Sequence, residues 1–321
     1  DASHATPESA ISLPLPNGRK PSPGALGAMD SRLRGISFVG ARPSQTKRLP
    51  VARPTLERIV GREPATGAEV DFLHWLLSRS GLEASSYRMA PLLRRLPAFL
   101  RTLRVESLEA AAEMIRSHPL WIAKALDSLL IGTTEWFRDA AVFEQIQGRV
   151  LPELLSGNER LSVWSAGSSD GLELYSIAIL LAQTGRLADA HLLGSDCRVA
   201  AIERAKAGVY VGRPLPTGLQ GFHQVEPDGV VAVAPELRKA VCWELADVMS
   251  PVASRTWDLI LCRNLAIYLE PAAVERLWHR LVDALHPGGY LVVGKAERPS
   301  LPGLIRVGPS IYRKCNPKIS P

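Results

Sequence analysis

The stretch Val163-Trp-Ser-Ala-Gly-Ser-Ser-Asp-Gly171 constrains the fold more than any other part of the chain, because a turn of small residues joins an apolar run to a helical pattern. Residues 161–164 predict a strand, and residues 172–184, with Ile177, Leu180 and Leu181 on one face, predict a helix. The same grammar then repeats. Residues 190–195 predict a second strand that ends at Asp196 and leads into a helix over 199–207, while 257–262 is the nearly continuous apolar run of a strand covered on both faces. A helix over 272–285, a turn at Pro287-Gly288-Gly289 and a strand over 290–293 follow. Alternation of this kind implies an α/β fold, a doubly wound parallel sheet with its ligand crevice at the carboxyl ends of the strands. Between Tyr210 and Val241 the alternation breaks, and the segment reads as a small inserted element, a β-hairpin around Pro227-Asp228-Gly229.

Ahead of the sheet the pattern is helical. Val70, Leu73, Leu76 and Leu77 recur at helical spacing until Gly81. The next segment, 87–104, carries Arg88, Arg94, Arg95, Arg101 and Arg104, but Pro91 and Pro97 argue against one unbroken helix. Further helices are expected over 107–118, 120–130 and 140–154. The expected organisation is a basic tail over 1–65, a helical domain over 66–157 and a sheet domain over 158–316 with an insert at about 210–241.

Charge is uneven along the 321 residues. Residues 1–62 hold ten Arg or Lys against four acids, which accounts for the whole net charge of +6, so the remainder is neutral. A neutral folded part offers no general attraction for a phosphate backbone, and the Pro-, Gly- and Ser-rich basic segment reads as a flexible extension. No nucleic-acid partner is expected. Four scattered cysteines without a CxxC pair suggest neither a disulfide framework nor a zinc site, and the seven His show no paired ligand spacing, so no metal is assigned. No apolar run reaches the ~20 residues of a membrane-crossing helix and no leader is recognisable. A soluble, cytoplasmic protein is expected.

The turn at Ser165–Gly171 suits a nucleotide, because small side chains let backbone amides approach a ligand at a helix N-terminus. Gly167 and Gly171 do not follow the G-x-G-x-x-G spacing of a dinucleotide site. Asp196, at the end of the next strand, can accept both ribose hydroxyls. Each feature alone has a bland alternative in packing or helix capping; together they favour an adenosine without a pyrophosphate.

At this point the chain resembles the CheR-type chemotaxis receptor methyltransferases, which methylate glutamate side chains with S-adenosylmethionine. The resemblance spans about 70–314 and rests on Thr134-x-Trp-Phe-Arg-Asp139, Trp164-Ser-Ala-Gly-Ser-Ser-x-Gly171, Glu173 with Tyr175-Ser176, Cys262-Arg-Asn264 with Ile267-Tyr268, Pro287-Gly-Gly289 and Tyr312. It implies a class I S-adenosylmethionine-dependent methyltransferase sheet (Rossmann-like), a small N-terminal all-helical domain and a short inserted β-subdomain. Its cofactor contacts fall on Thr134, Arg138, Glu173, Asp196, Glu244, Leu245, Asn264 and Leu265, and Arg138 and Tyr268 stand nearest the methyl group. The bland alternatives are that Arg138 pairs with Asp139 and that Tyr268 is a core aromatic. The implied product is S-adenosyl-L-homocysteine, and the implied partners are the cytoplasmic domains of methyl-accepting receptors, met by a monomer without membrane insertion.

The chain departs from the family pattern at Gly132, Leu172, Leu174 and Glu244. Those positions motivate an alternative, a non-catalytic module that keeps the fold for regulation or binding. A methyltransferase for another acceptor is a third reading.

Overall fold

The computed structural model describes residues 67–316, apart from 119, 131, 133, 226–228 and 251–254. The basic tail, and Pro227-Asp228 of the expected hairpin turn, lie outside the described residues.

Helix α1 (Gly67–Arg79) buries Phe72, Leu73, Leu76 and Leu77, the stripe its spacing predicts. In place of one helix over 87–104 there are two short ones, α2 (Met89–Leu93) and α3 (Leu96–Leu103). Pro91 and Pro97 each fall in a first turn, where no backbone N–H is needed, so the prolines begin helices instead of breaking one. Helix α4 (Leu108–Ser117) is capped by Ser107, whose Oγ accepts the Ala110 N–H at 3.2 Å. After α5 (Leu120–Leu129), the helix expected over 140–154 is composite: α6 (Ala140–Gln145), one wider π turn (Ile146–Val150) and α7 (Leu151–Gly157). Pro152 has no N–H to offer the carbonyl of Gly148, and the widened turn lies directly before it.

The sheet then forms around β1 (Leu161–Ala166), α8 (Leu172–Gln183), β2 (Ala190–Asp196) and α9 (Val199–Ala207). The insert is a separate three-stranded sheet of β3 (Val209–Val211), β4 (His223–Val225) and β5 (Val230–Val233), with β5 central and both pairings antiparallel. The expected hairpin is β4 and β5; β3 is an addition to it. Helix α10 (Pro235–Ala240), β6 (Val241–Leu245), β7 (Trp257–Cys262), α11 (Pro271–Asp283), β8 (Leu285–Val293), β9 (Leu304–Gly308) and β10 (Ile311–Lys314) complete the chain.

The large sheet runs β6-β2-β1-β7-β8-β10-β9. Its first five strands are parallel, and β10 is antiparallel to both neighbours. Strand β7 is buried along its whole length, as its apolar run requires. Its one acid, Asp258, is satisfied by the Ser162 N–H at 2.8 Å and the Ser162 hydroxyl at 2.7 Å. The expected turn at Pro287–Gly289 lies inside β8, where the pairing with β7 slips between Trp257 and Leu259. From β1 the chain winds outward through β2 to β6, then returns to build β7 and β8 on the other side. That reversal places a crevice over the carboxyl ends of β1 and β7.

The helices close one side of the crevice. Tyr87 bridges to Leu269, the Arg88 N–H donates to the Tyr268 carbonyl at 2.9 Å, and the Glu270 N–H donates to the Ser86 carbonyl at 2.9 Å. Among the described residues no helix is long and apolar enough to cross a membrane.

Candidate active site

The crevice is a cleft with a cavity volume of about 140 Å³. Tyr87, Leu130, Gly132 and Arg138 line it from the helical side, and the loops after β1, β2, β6 and β7 supply the rest. A smaller recess continues inward between Thr134, Arg138, Gly167, Ser168, Glu173 and Asn264.

The loop after β1 is shaped by its small residues. The N–H groups of Gly167 and Ser168 both donate to the Ser195 carbonyl, at 2.9 and 2.8 Å, which ties the turn to the end of β2. Gly167 has φ +73°, and a Cβ there would stand 2.4 Å from a methyl of Leu265. Gly171 has φ +89°, with the ring of Trp243 2.5 Å from where its Cβ would be. Neither position accepts a side chain without strain.

Asp196 is buried at the floor. Its Oδ2 accepts the Ser169 N–H at 2.9 Å and an Arg198 Nη2 hydrogen at 3.4 Å, while Oδ1 accepts the Arg198 N–H and Nε–H, both at 3.0 Å. Arg198, itself buried, went unrecognised in the sequence; its signal was a lone arginine at a helix N-cap, where a donor side chain has no capping use.

Glu173 opens α8 beside the inner recess. Its Oε1 accepts the Ser165 hydroxyl at 2.8 Å and its Oε2 accepts from Arg263 Nη1 at 3.2 Å. Arg263 also donates Nη2 to Asp139 Oδ2 at 2.6 Å and to the Arg138 carbonyl at 2.8 Å. The other oxygen of Asp139 meets Lys295 at 2.7 Å. Burial alone would raise the Asp139 carboxyl, but the Lys295 hydrogen bond and the Arg263 charge outweigh it and hold the group below its ordinary value. Arg263 and Lys295 engage the two Asp139 oxygens, the charge of the neighbouring Arg138 adds to theirs, and Arg138 lines both the cleft and the recess.

Asn264 sits in the left-handed region at φ +59°. Glu297 holds that turn by accepting the N–H groups of Asn264 at 3.0 Å and Ala266 at 2.9 Å, together with that of Gly294. Burial pushes the Glu297 carboxyl up, against the opposing pull of those donors. Tyr268 lines the cleft half-buried, with the Arg95 guanidinium 5.8 Å from its ring centre. Leu265 lines the cleft as well.

Thr134, Arg138, Glu173, Asp196, Asn264, Leu265 and Tyr268 therefore come together. Glu244 and Leu245 lie beside Ser195 and Asp196 in the β6–β2 register but are not among the residues that line the crevice. Both are exposed on β6, and the residues that line the crevice from this loop are Ala246, Asp247 and Val248. Burial raises the Asp247 carboxyl, a polar group at this end of the cleft that the sequence reading passed over. Leu172 and Leu174, two of the departures from the family pattern, are fully buried in the core and take no polar group from the cleft lining.

Two buried polar atoms beside the recess, Ser168 Oγ and Asn264 Oδ1, have no partner within the protein. Such atoms cost about 1–3 kcal/mol each when left unmade, so the recess suits a ligand with its own donors and acceptors. A nucleoside with an amino-acid end meets that demand: a hydroxyl-binding acid at the floor, and an acid with orphaned amide and hydroxyl groups in the recess.

The sequence comparisons agree with this geometry. A model of the CheR methyltransferase S-adenosylmethionine-binding domain matches residues 132–305, more than half of the chain. The chain belongs to the CheR methyltransferase family. A chemotaxis protein methyltransferase of Vibrio parahaemolyticus is 30% identical over 263 residues, covering 78% of this chain and 94% of its own length. Chemotaxis protein methyltransferase 1 of Pseudomonas aeruginosa is 29% identical, covering 73% of this chain and 91% of its own length. The family match makes S-adenosylmethionine the cofactor of this CheR methyltransferase, and the orphaned atoms, Glu173 and Asp196 fit it.

Proposed function

We propose that this CheR methyltransferase transfers a methyl group to glutamate side chains on the cytoplasmic domains of chemotaxis receptors, giving glutamyl methyl esters. When bound, S-adenosylmethionine supplies an electrophilic methyl on a sulfonium. Asp196 takes the ribose hydroxyls, and Glu173 with Asn264 receives the ammonium of the amino-acid end. Arg138 meets a carboxylate and, with Tyr268, faces the reacting centre.

An acceptor glutamate has an ordinary pKa of ~4.3 and is already a carboxylate at neutral pH, so the site needs no general base. The protein's task is alignment and exclusion of water, because methyl transfer from a sulfonium to a carboxylate neutralises both charges. That explains a cleft in which arginines and a tyrosine, with no His or nucleophilic Cys, border the carboxylate's expected position. The single observation that carries the reading is the orphaned Asn264 Oδ1 beside Glu173, one recess away from Asp196. Relatives named as chemotaxis protein methyltransferases support the receptor as the acceptor.

The decisive experiment incubates the protein with methyl-labelled cofactor and a receptor cytoplasmic domain. Label released by mild base is expected. Bound cofactor with no base-labile label on any receptor defeats the proposal. A non-catalytic module is the second reading, favoured by one observation, the four hydrogen bonds that already occupy Asp196.

A further inference from the structure

A carboxylate offers about four lone-pair sites, and those of Asp196 are all taken. Two of the donors are backbone N–H groups, of Ser169 and Arg198, that cannot leave without unmaking the loops. The other two belong to the guanidinium of Arg198. A ribose diol brings two donors of its own and needs two acceptors. Only the Arg198 fork can give way to it.

The fork has somewhere to go. Arg198 Nη1 already faces Asp127 Oδ1 at 3.4 Å, a distance long enough to shorten, and Asp127 belongs to α5 on the helical side. Its present partner there, Arg204, is far more exposed than Arg198. Room for the guanidinium exists because residue 132 is glycine: a Cβ there would lie 2.6 Å from Arg198 Nη2 and 2.4 Å from Ser169 Oγ.

We propose that Arg198 sets the cofactor affinity of this enzyme by competing with the ribose for Asp196, and that Asp127 receives the guanidinium when the ribose binds. Cofactor occupancy then tightens the attachment of α5 to the sheet. The inference rests on the reading of Asp196 as the ribose acid.

The test is calorimetric titration of the full chain with S-adenosylhomocysteine, using wild type, Arg198→Met, Asp127→Asn, the double variant and Asp196→Ala. Arg198→Met is expected to tighten binding about five-fold, the equivalent of one net hydrogen bond. Asp127→Asn is expected to weaken binding in the wild type and to change nothing in the Arg198→Met background. Weaker or unchanged binding in Arg198→Met, with binding lost in Asp196→Ala, overturns the competition while leaving the ribose reading intact. Unchanged binding in Asp196→Ala instead removes the ribose reading and this inference with it. Should Arg198→Met fail to fold by circular dichroism, Arg198→Lys decides by the same sign, since an ammonium cannot fork across both oxygens.

Discussion

Arg263 and Glu173, 90 residues apart in the chain, meet with Nη1 3.2 Å from Oε2 at the inner end of the cleft. The guanidinium is almost wholly buried and also carries Asp139, so one cation serves two acids that would otherwise repel each other. Arg263→Met keeps the bulk and removes the charge. The expected loss is about 3 kcal/mol of folding free energy, read by urea denaturation, because two largely buried carboxylates lose the cation they share, Asp139 keeping Lys295 and Glu173 keeping the Ser165 hydroxyl. Arg263→Lys retains the charge without the fork and is expected to fall between the two. A variant as stable as the wild type would show the pairing to be energetically idle.

Asp139 gives the pH dependence a sign. Its carboxyl is held below the ordinary value of 3.8, so its contribution to stability is present above that value and is lost as the pH falls through the lowered one. The stability difference between wild type and Asp139→Asn is therefore expected to be full at neutral pH and to shrink on acidification below about 4. Denaturation midpoints measured across that window check it. A difference that grows on acidification contradicts the assignment.

How much of this was legible follows the range of the interactions. Helix α9 and strand β7 have the bounds that their own residues predict, because Gly208 at φ +61° stops the helix and continuous apolar residues define the strand. The signals are local. Strands β3, β9 and β10 were not anticipated; β3 has three residues, and the other two are paired by antiparallel contacts that periodicity does not reveal. Glu244 and Leu245 pair with Ser195 and Asp196 at the end of β6 and are exposed, while the next residues, Ala246, Asp247 and Val248, line the cleft, a difference of position that depends on the β6–β2 register. Arg198, Arg263 and Glu297 acquire their meaning from partners in other loops, and only folding brings those together.

Glu297 acts on the cleft through backbone. It accepts the N–H groups of Asn264 and Ala266, and its burial pushes its carboxyl above 4.5. Gln at this position has one acceptor oxygen in place of two and turns an amide donor toward N–H groups. Glu297→Gln is expected to cost about 1–3 kcal/mol and to weaken S-adenosylhomocysteine binding through a loosened Asn264 turn. The pH sign is opposite to that of Asp139: a raised carboxyl contributes less as pH rises through its folded value, so the wild type's lead narrows on going upward from 4.5. Parallel urea titrations of the two proteins test this, and a widening lead refutes it.

Gly132 and Arg198 share one volume, and this can be tested from the glycine's side. A Cβ at residue 132 would meet Ser169 Oγ at 2.4 Å and Arg198 Nη2 at 2.6 Å, both below any real contact distance. Two side-chain ends can shift, but each is held: Ser169 Oγ donates to the Gly132 carbonyl at 3.2 Å and accepts from Arg198 at 3.1 Å. Gly132→Ala is therefore expected to cost about 1–3 kcal/mol by overpacking, although alanine suits ordinary backbone better than glycine does. Ser169 and Arg198 share the cost, so the double variant Gly132→Ala with Arg198→Met recovers the part that falls on Arg198, and the two changes are non-additive by more than the ~0.5 kcal/mol expected of independent sites. Thermal or urea unfolding of the four proteins closes the cycle. Strict additivity means that the alanine finds room elsewhere, and the glycine is then no accommodation to the arginine.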